Sequence, residues 1–142
     1  MQYPFLFSAA KEGGWVITCR DLPEAISQAE KNENRIEVAE GCLQAAIEAR
    51  MRLDMEIPAA SPATKKEILI APPLGTAAKA ALYQSMREAH VNKSELARLL
   101  GVDEKEVRRM LDTRHATKIP RRLWRMIRPN TELIPRPLGR DR

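Results

Sequence analysis

The spacing of apolar positions changes period along this chain. Tyr3 to Phe7 is an apolar, aromatic run, Trp15-Val16-Ile17-Thr18-Cys19 is a second, and Gly13-Gly14 lies between them. Two β-prone runs joined by a glycine-bearing loop predict a hairpin. Pro4 places the start of the first run at an edge or a strand start. Asp21-Leu22-Pro23 reads as a turn, and Ala25 to Gln28 as a short third strand. The period then lengthens. Ile36, Ala39, Leu43, Ala46 and Ile47 form one stripe of a 3.6-residue repeat, which predicts a helix. Asn34 followed by Glu37 has the spacing of a capping box at its start. Gly41 costs about 1 kcal/mol inside a helix, so a close packing contact is expected there. Glu67 to Ala71 reads as a further strand. The order β-β-β-α-β predicts a small antiparallel sheet with one helix on a face.

Beyond Pro72-Pro73 the pattern is helical throughout. Ala78, Leu82, Met86 and Ala89 form one stripe, which Val91-Asn92 interrupts. Asn92 and Glu95 then cap a short helix, Gly101 ends it, and Asp103 with Glu106 caps the next at once. Two short helices joined by a tight glycine turn predict a helix-turn-helix. Leu96, Leu100, Val102, Val107 and Met110 supply its apolar positions, and Ala97 is small where the helices cross. A last helix is expected over Lys118 to Ile127.

Charge divides the chain at the same place. The 142 residues carry a formal net charge of +5. Residues 1–60 hold 6 basic and 10 acidic side chains, net −4; residues 61–142 hold 18 and 9, net +9. The uncharged, proline-bearing stretch Ile57 to Thr64 reads as a loop. The expected organisation is therefore α+β: residues 1–72 as one small domain, 73–128 as an all-α DNA-binding domain, and 129–142 as a flexible basic tail. No run of about 18 apolar residues is present, and the first residues lack the basic region of a secretory signal. Cys19 and Cys42 have no metal-ligand spacing and read as reduced thiols of a cytoplasmic protein.

The basic half carries the more informative surface. A recognition helix sets its N-terminal residues against major-groove base edges. Arg108 and Arg109 can pair bidentately with guanine, and Lys105 is a weaker candidate for base or phosphate. Lys93 and Ser94, at the start of the preceding helix, are phosphate candidates. Lys118, Arg121, Arg122 and Arg125 are further phosphate candidates on the last helix. Each is otherwise a solvated basic side chain. In the acidic half, Glu12, Asp21, Glu24 and Glu30 are the carboxylates that a metal-dependent nuclease would use. No strand register forces them to converge. No Ser-His-Asp or Cys-His arrangement exists, and no cofactor or metal is expected.

The succession Y-P-F-L-F, G-G-W-V-I, D-L-P-E-A-I-S-Q, a helix, then a proline-rich loop leading to a strand resembles the HicB antitoxins. The following helix-turn-helix resembles the subgroup that carries a repressor-type DNA-binding domain. Together the resemblance spans residues 3–127. This chain departs from the family pattern at Arg20, usually Pro, and at Glu24 and Ala29, usually Gly. The resemblance implies a partial RNase H-like N-terminal domain that binds and inhibits a HicA-like mRNA-cleaving toxin. It also implies repression of the chain's own operon through operator DNA, and a homo-oligomer, either a dimer or a higher even assembly. No membrane partner is expected of a chain without a long apolar run, and no enzymatic activity of one whose carboxylates are not forced together. Trp15, Glu24, Glu30 and Glu33 are the toxin-interface candidates. Two alternatives stand beside this reading: a stand-alone repressor whose N-terminal domain only assembles the oligomer or senses a ligand, and a metal-dependent nuclease.

Overall fold

The computed structural model of the chain describes residues 1–115. The chain separates into two compact units, the first Met1–Pro73 and the second beginning at Leu74. The first contains β1 (Tyr3–Ala9), β2 (Trp15–Cys19), β3 (Ser27–Ala29), α1 (Arg35–Arg52) and β4 (Glu67–Ile70). The second contains α2 (Leu74–Ala89), α3 (Lys93–Leu100) and α4 (Glu104–Leu111). The helix expected over 118–127 and the tail 129–142 lie outside the described residues.

All pairings in the four-stranded sheet are antiparallel, in the order β3-β2-β1-β4. The fold class is thus α+β. β1 is central because its residues have partners on both sides: Phe5 faces Cys19 of β2 and Ile68 of β4. Alternation directs Tyr3, Phe5, Ile17 and Cys19 to one face, where they are buried. α1 packs on the sheet through the predicted stripe, with Ala39, Leu43 and Ile47 fully enclosed. The opposite face keeps Leu6 and Leu69 partly exposed.

The hairpin between β1 and β2 needs its glycines. Gly14 has φ +79°, and a Cβ there would lie 2.3 Å from the carbonyl oxygen of Ala29. Only a residue without a side chain admits that approach. Gly41 behaves otherwise. It is exposed, and a Cβ would meet nothing within 4 Å. The close packing contact expected of it is absent, because Gly41 sits on the solvent face of α1 while Ala39 and Leu43 on either side face the sheet. At the start of α1, Asn34 Oδ1 accepts from the backbone N–H groups of Ile36 and Glu37.

The loop from α1 to β4 is tied down along its length. Tyr3 donates its hydroxyl to the Pro58 carbonyl at 2.7 Å. Asp21 accepts from the backbone and the hydroxyl of Ser61, both at 2.7 Å. Arg20 donates to the Pro62 carbonyl at 2.6 Å and holds both carboxylate oxygens of Glu67.

In the second unit Leu82 of α2, Leu96, Ala97 and Leu100 of α3, and Val107 and Met110 of α4 form one buried cluster. Ala78 and Met86 pack against it. Ala89, expected on the same stripe, is exposed instead. The helix ends there, and His90 turns out of it with φ +56°. The buried face of α2 is also wider than the stripe, taking in Thr76, Ala77, Lys79, Ala80, Ala81 and Tyr83.

Candidate partner and nucleic-acid surfaces

The carboxylates and the tryptophan of the first unit fall at two ends of β3. At one end, Trp15 lies opposite Ala29. The guanidinium of Arg35, the first residue of α1, lies 4.1 Å from the Trp15 ring centroid and 5.2 Å from that of Phe7. This cation–π contact seals the margin of the core. Glu33 accepts the backbone N–H of Glu30 at 2.7 Å, and its own N–H returns to the Glu30 carbonyl at 3.1 Å. Trp15, Glu30 and Glu33 therefore belong to one patch beside the Gly13-Gly14 turn, and the Glu30 side chain is exposed there.

Glu24 belongs to the other end. Arg50, near the end of α1, holds its carboxylate with two nitrogens, Nη2 at 3.0 Å, and also donates to the Glu56 carbonyl. That hydrogen-bonded pairing keeps the Glu24 carboxyl below its ordinary range. Ile26, Leu53 and Met55 are exposed apolar residues of the same neighbourhood in sequence. Two of the positions that depart from the family pattern, Arg20 and Glu24, thus each form a forked guanidinium–carboxylate pair.

The carboxylates considered for nuclease chemistry do not assemble. Asp21 is engaged by Ser61 and Glu24 by Arg50. Among the described residues no group of three or more His, Cys, Asp and Glu side chains is placed to hold a metal ion. Burial raises the thiol pKa of both Cys19 and Cys42, so neither is an activated nucleophile.

In the second unit α3 and α4 are joined by a sharp turn. Asn92 and Glu95 form a reciprocal capping box at the start of α3. Gly101 ends α3 in the left-handed conformation, φ +67°. Asp103 caps α4 by accepting the Lys105 N–H. Glu106, expected to complete that cap, instead pairs with Arg109 at 3.2 Å. Val107 and Met110 face inward, so Lys105, Arg108 and Arg109 share the outer face and are exposed. Arg108 is held by Glu104 one turn earlier, at 2.8 Å. Ser94 donates to the other oxygen of Glu104 at 3.0 Å. Lys93 and Arg98 are exposed on α3. Lys118, Arg121, Arg122 and Arg125 lie outside the described residues.

Two residues escaped the sequence reading. Arg98 adds a cation on α3, and its signal was only its place beside the expected turn. Lys79, 4% exposed, donates its ammonium group to the carbonyl oxygens of Arg109, Asp112 and His115 at 3.2, 2.5 and 2.7 Å. It closes the C-terminal end of α4, where unpaired carbonyls and the helix dipole favour a cation. A single charge inside Ala77-Ala78-Lys79-Ala80-Ala81 was the available signal.

No helix among the described residues is long and apolar enough to cross a membrane. Residues 2–81 match the family model described as the HicB_like antitoxin of bacterial toxin-antitoxin system. Antitoxin HicB of Escherichia coli strain K12 is 33% identical over 119 residues, covering 84% of this chain and 86% of that protein. Antitoxin HicB 2 of Photorhabdus laumondii is 34% identical over 119 residues, with 84% of each chain covered. Antitoxin HicB of Pseudomonas fluorescens is 27% identical over 121 residues, covering 84% and 83%. The chain belongs to the HicB-like antitoxin family and takes the antitoxin role of a toxin–antitoxin pair.

Proposed function

We propose that this antitoxin acts in the cytoplasm through two modules, 1–72 and 73–128. The first, a partial RNase H-like sheet and helix, binds and inhibits a HicA-like mRNA-cleaving toxin. The second is a helix-turn-helix that binds operator DNA and represses the antitoxin's own operon. Neither step is an enzymatic reaction of this chain.

Family membership supports the toxin partner. The acidic balance of residues 1–60 suits a protein that grips RNA, since complementary charge speeds encounter. The observation that carries the DNA reading is the geometry of α4: Val107 and Met110 are buried while Lys105, Arg108 and Arg109 stand outward from a helix set by a left-handed glycine turn. A helix so presented fits the major groove, and dimers of such domains read half-sites about one helical turn apart. A homodimer or a higher even assembly follows from that requirement.

Co-expression with a HicA-like toxin, sought first in the reading frame adjoining the gene, tests the toxin step. The two products should co-purify, and growth arrest by the toxin alone should be relieved. Gel shift on the duplex immediately upstream of the operon tests the second step. Binding to that duplex without any co-purifying basic protein would favour the stand-alone repressor.

A further inference from the structure

Both arginines on the outer face of α4 are held by carboxylates of their own helix, Arg108 by Glu104 and Arg109 by Glu106. Lys105, between Glu104 and Glu106 in sequence, has no carboxylate partner among the described residues. Glu104 differs from Glu106 in one respect. Its two oxygens face different elements: Oε1 accepts from Arg108 Nη2 at 2.8 Å, and Oε2 accepts from Ser94 Oγ at 3.0 Å. Ser94 is the second residue of α3 and Glu104 the first of α4. One carboxylate therefore engages two groups that would otherwise donate to DNA.

We propose that Glu104 is a positioning residue that sets DNA specificity, holding Arg108 and Ser94 against the indiscriminate pull of phosphate. The inference rests on the reading of α3 and α4 as a DNA-binding surface. A guanidinium has five N–H donors. With Nη2 directed to Glu104, the remaining donors stay available to the paired acceptors of a guanine edge. A phosphate offers Arg108 no more than the carboxylate it already has, and it brings negative charge toward Glu104. The pair itself is solvated, with the Arg108 and Glu104 side chains 61% and 38% exposed. Such a pair is modest in water, and the donors it does not use are the ones a matching base engages while Nη2 stays on Glu104. Random duplex thus gains little from Arg108, while a matching site gains its base contacts. Lys105 is left as the unspecific phosphate contact of the helix.

The test is fluorescence anisotropy on the full chain, titrated over a range of salt. The probes are the duplex immediately upstream of its operon and a shuffled duplex of equal length. In Glu104→Gln, binding to the shuffled duplex should tighten about tenfold. Its slope of log K against log salt should steepen by about 0.9 for each phosphate Arg108 gains. The preference for the upstream duplex should shrink by about the same tenfold. Ser94→Ala removes one hydrogen bond but keeps the charge, so its salt slope should match wild type. Lys105→Gln should flatten the slope on both duplexes. Wild type that separates the two duplexes, with Glu104→Gln unchanged in shuffled-duplex affinity and salt slope, overturns the role of Glu104 and leaves the DNA reading standing. Wild type that does not separate them overturns both.

Discussion

The Lys79 ammonium group lies 2.7 Å from the carbonyl oxygen of His115, a residue 36 positions further along the chain. The same group reaches the carbonyls of Arg109 and Asp112. A buried cation is costly unless it is fully hydrogen-bonded, and here three acceptors converge on it. Replacing Lys79 by Met removes this charged donor from all three carbonyls, at about 1–3 kcal/mol, while Arg109 and Asp112 keep only the backbone N–H groups of Asp112 and His115. Amide exchange in α4 should accelerate while exchange in β1 does not. Equal exchange in α4 of wild type and variant would remove Lys79 from this role.

Acid should loosen the first unit through Glu67. The two Arg20 bonds, then the Thr64 backbone N–H, pull its carboxyl down from 4.5 to about 2. The folded pKa lies below the unfolded one, so the folded state gives up this proton more readily. The stabilisation is complete above about pH 4.5 and is lost as pH falls toward about 2. A Glu67→Gln chain should show a flatter loss of stability across that window, followed by far-ultraviolet circular dichroism. An unaltered acid limb would count against the pairing.

Base should act on Tyr3. Burial first, and Asp21 second, push its phenol from 10 up to about 12. A raised acid pKa gives stability that is present below about pH 10 and lost as pH rises to about 12. Tyr3→Phe should remove that alkaline limb. Near neutrality it should cost about 1 kcal/mol for the lost bond to Pro58. Urea melts at two pH values measure both effects.

The glycines should rank in a definite order. Gly14→Ala should be the most damaging, because left-handed strain adds to the encounter with the Ala29 carbonyl. Gly101→Ala should cost about 1–2 kcal/mol from backbone strain alone, since a Cβ there meets nothing within 4 Å. Gly41→Ala should stabilise by about 0.5–1 kcal/mol, as an exposed helix interior gains from alanine. Thermal melts of the three variants decide the order, and a destabilised Gly41→Ala would contradict the open surroundings of that residue.

If α4 reads bases as proposed, Arg108→Ala and Arg109→Ala should each cost about 1–3 kcal/mol of DNA binding and relax base preference at one position. If a dimer neutralises roughly 6–8 phosphates, log K should fall against log salt with a slope of about −5 to −7. Selection from a randomised duplex library reads the preference. Unchanged selected sequences would exclude both arginines from base reading.

The sequence was most legible where one period or one special residue decided the outcome. Trp15–Cys19 is a strand and Gly101 a left-handed cap as their patterns required. The capping box of Asn92 and Glu95 is local and was readable for that reason. The third strand was displaced, running Ser27–Ala29 rather than Ala25 to Gln28. There Ala25 is buried by the turn that Leu22 begins, an effect of tertiary packing. The partners of Arg20, Glu24 and Lys79 were not legible, because each bond spans 26 residues or more. For the same reason the sequence does not separate the toxin-interface candidates, although Glu24 stands apart from Trp15, Glu30 and Glu33.

The pairing of β1 with β4 sets Tyr3 directly across from Ile70. The chain therefore enters the first unit and leaves it toward Pro72-Pro73 at neighbouring points of the paired strands β1 and β4. Any label or fusion added ahead of Met1 will emerge near the Pro72-Pro73 end of the first unit. A reporter meant to leave that end undisturbed belongs instead at the Lys11-Glu12 turn, at the far end of β1.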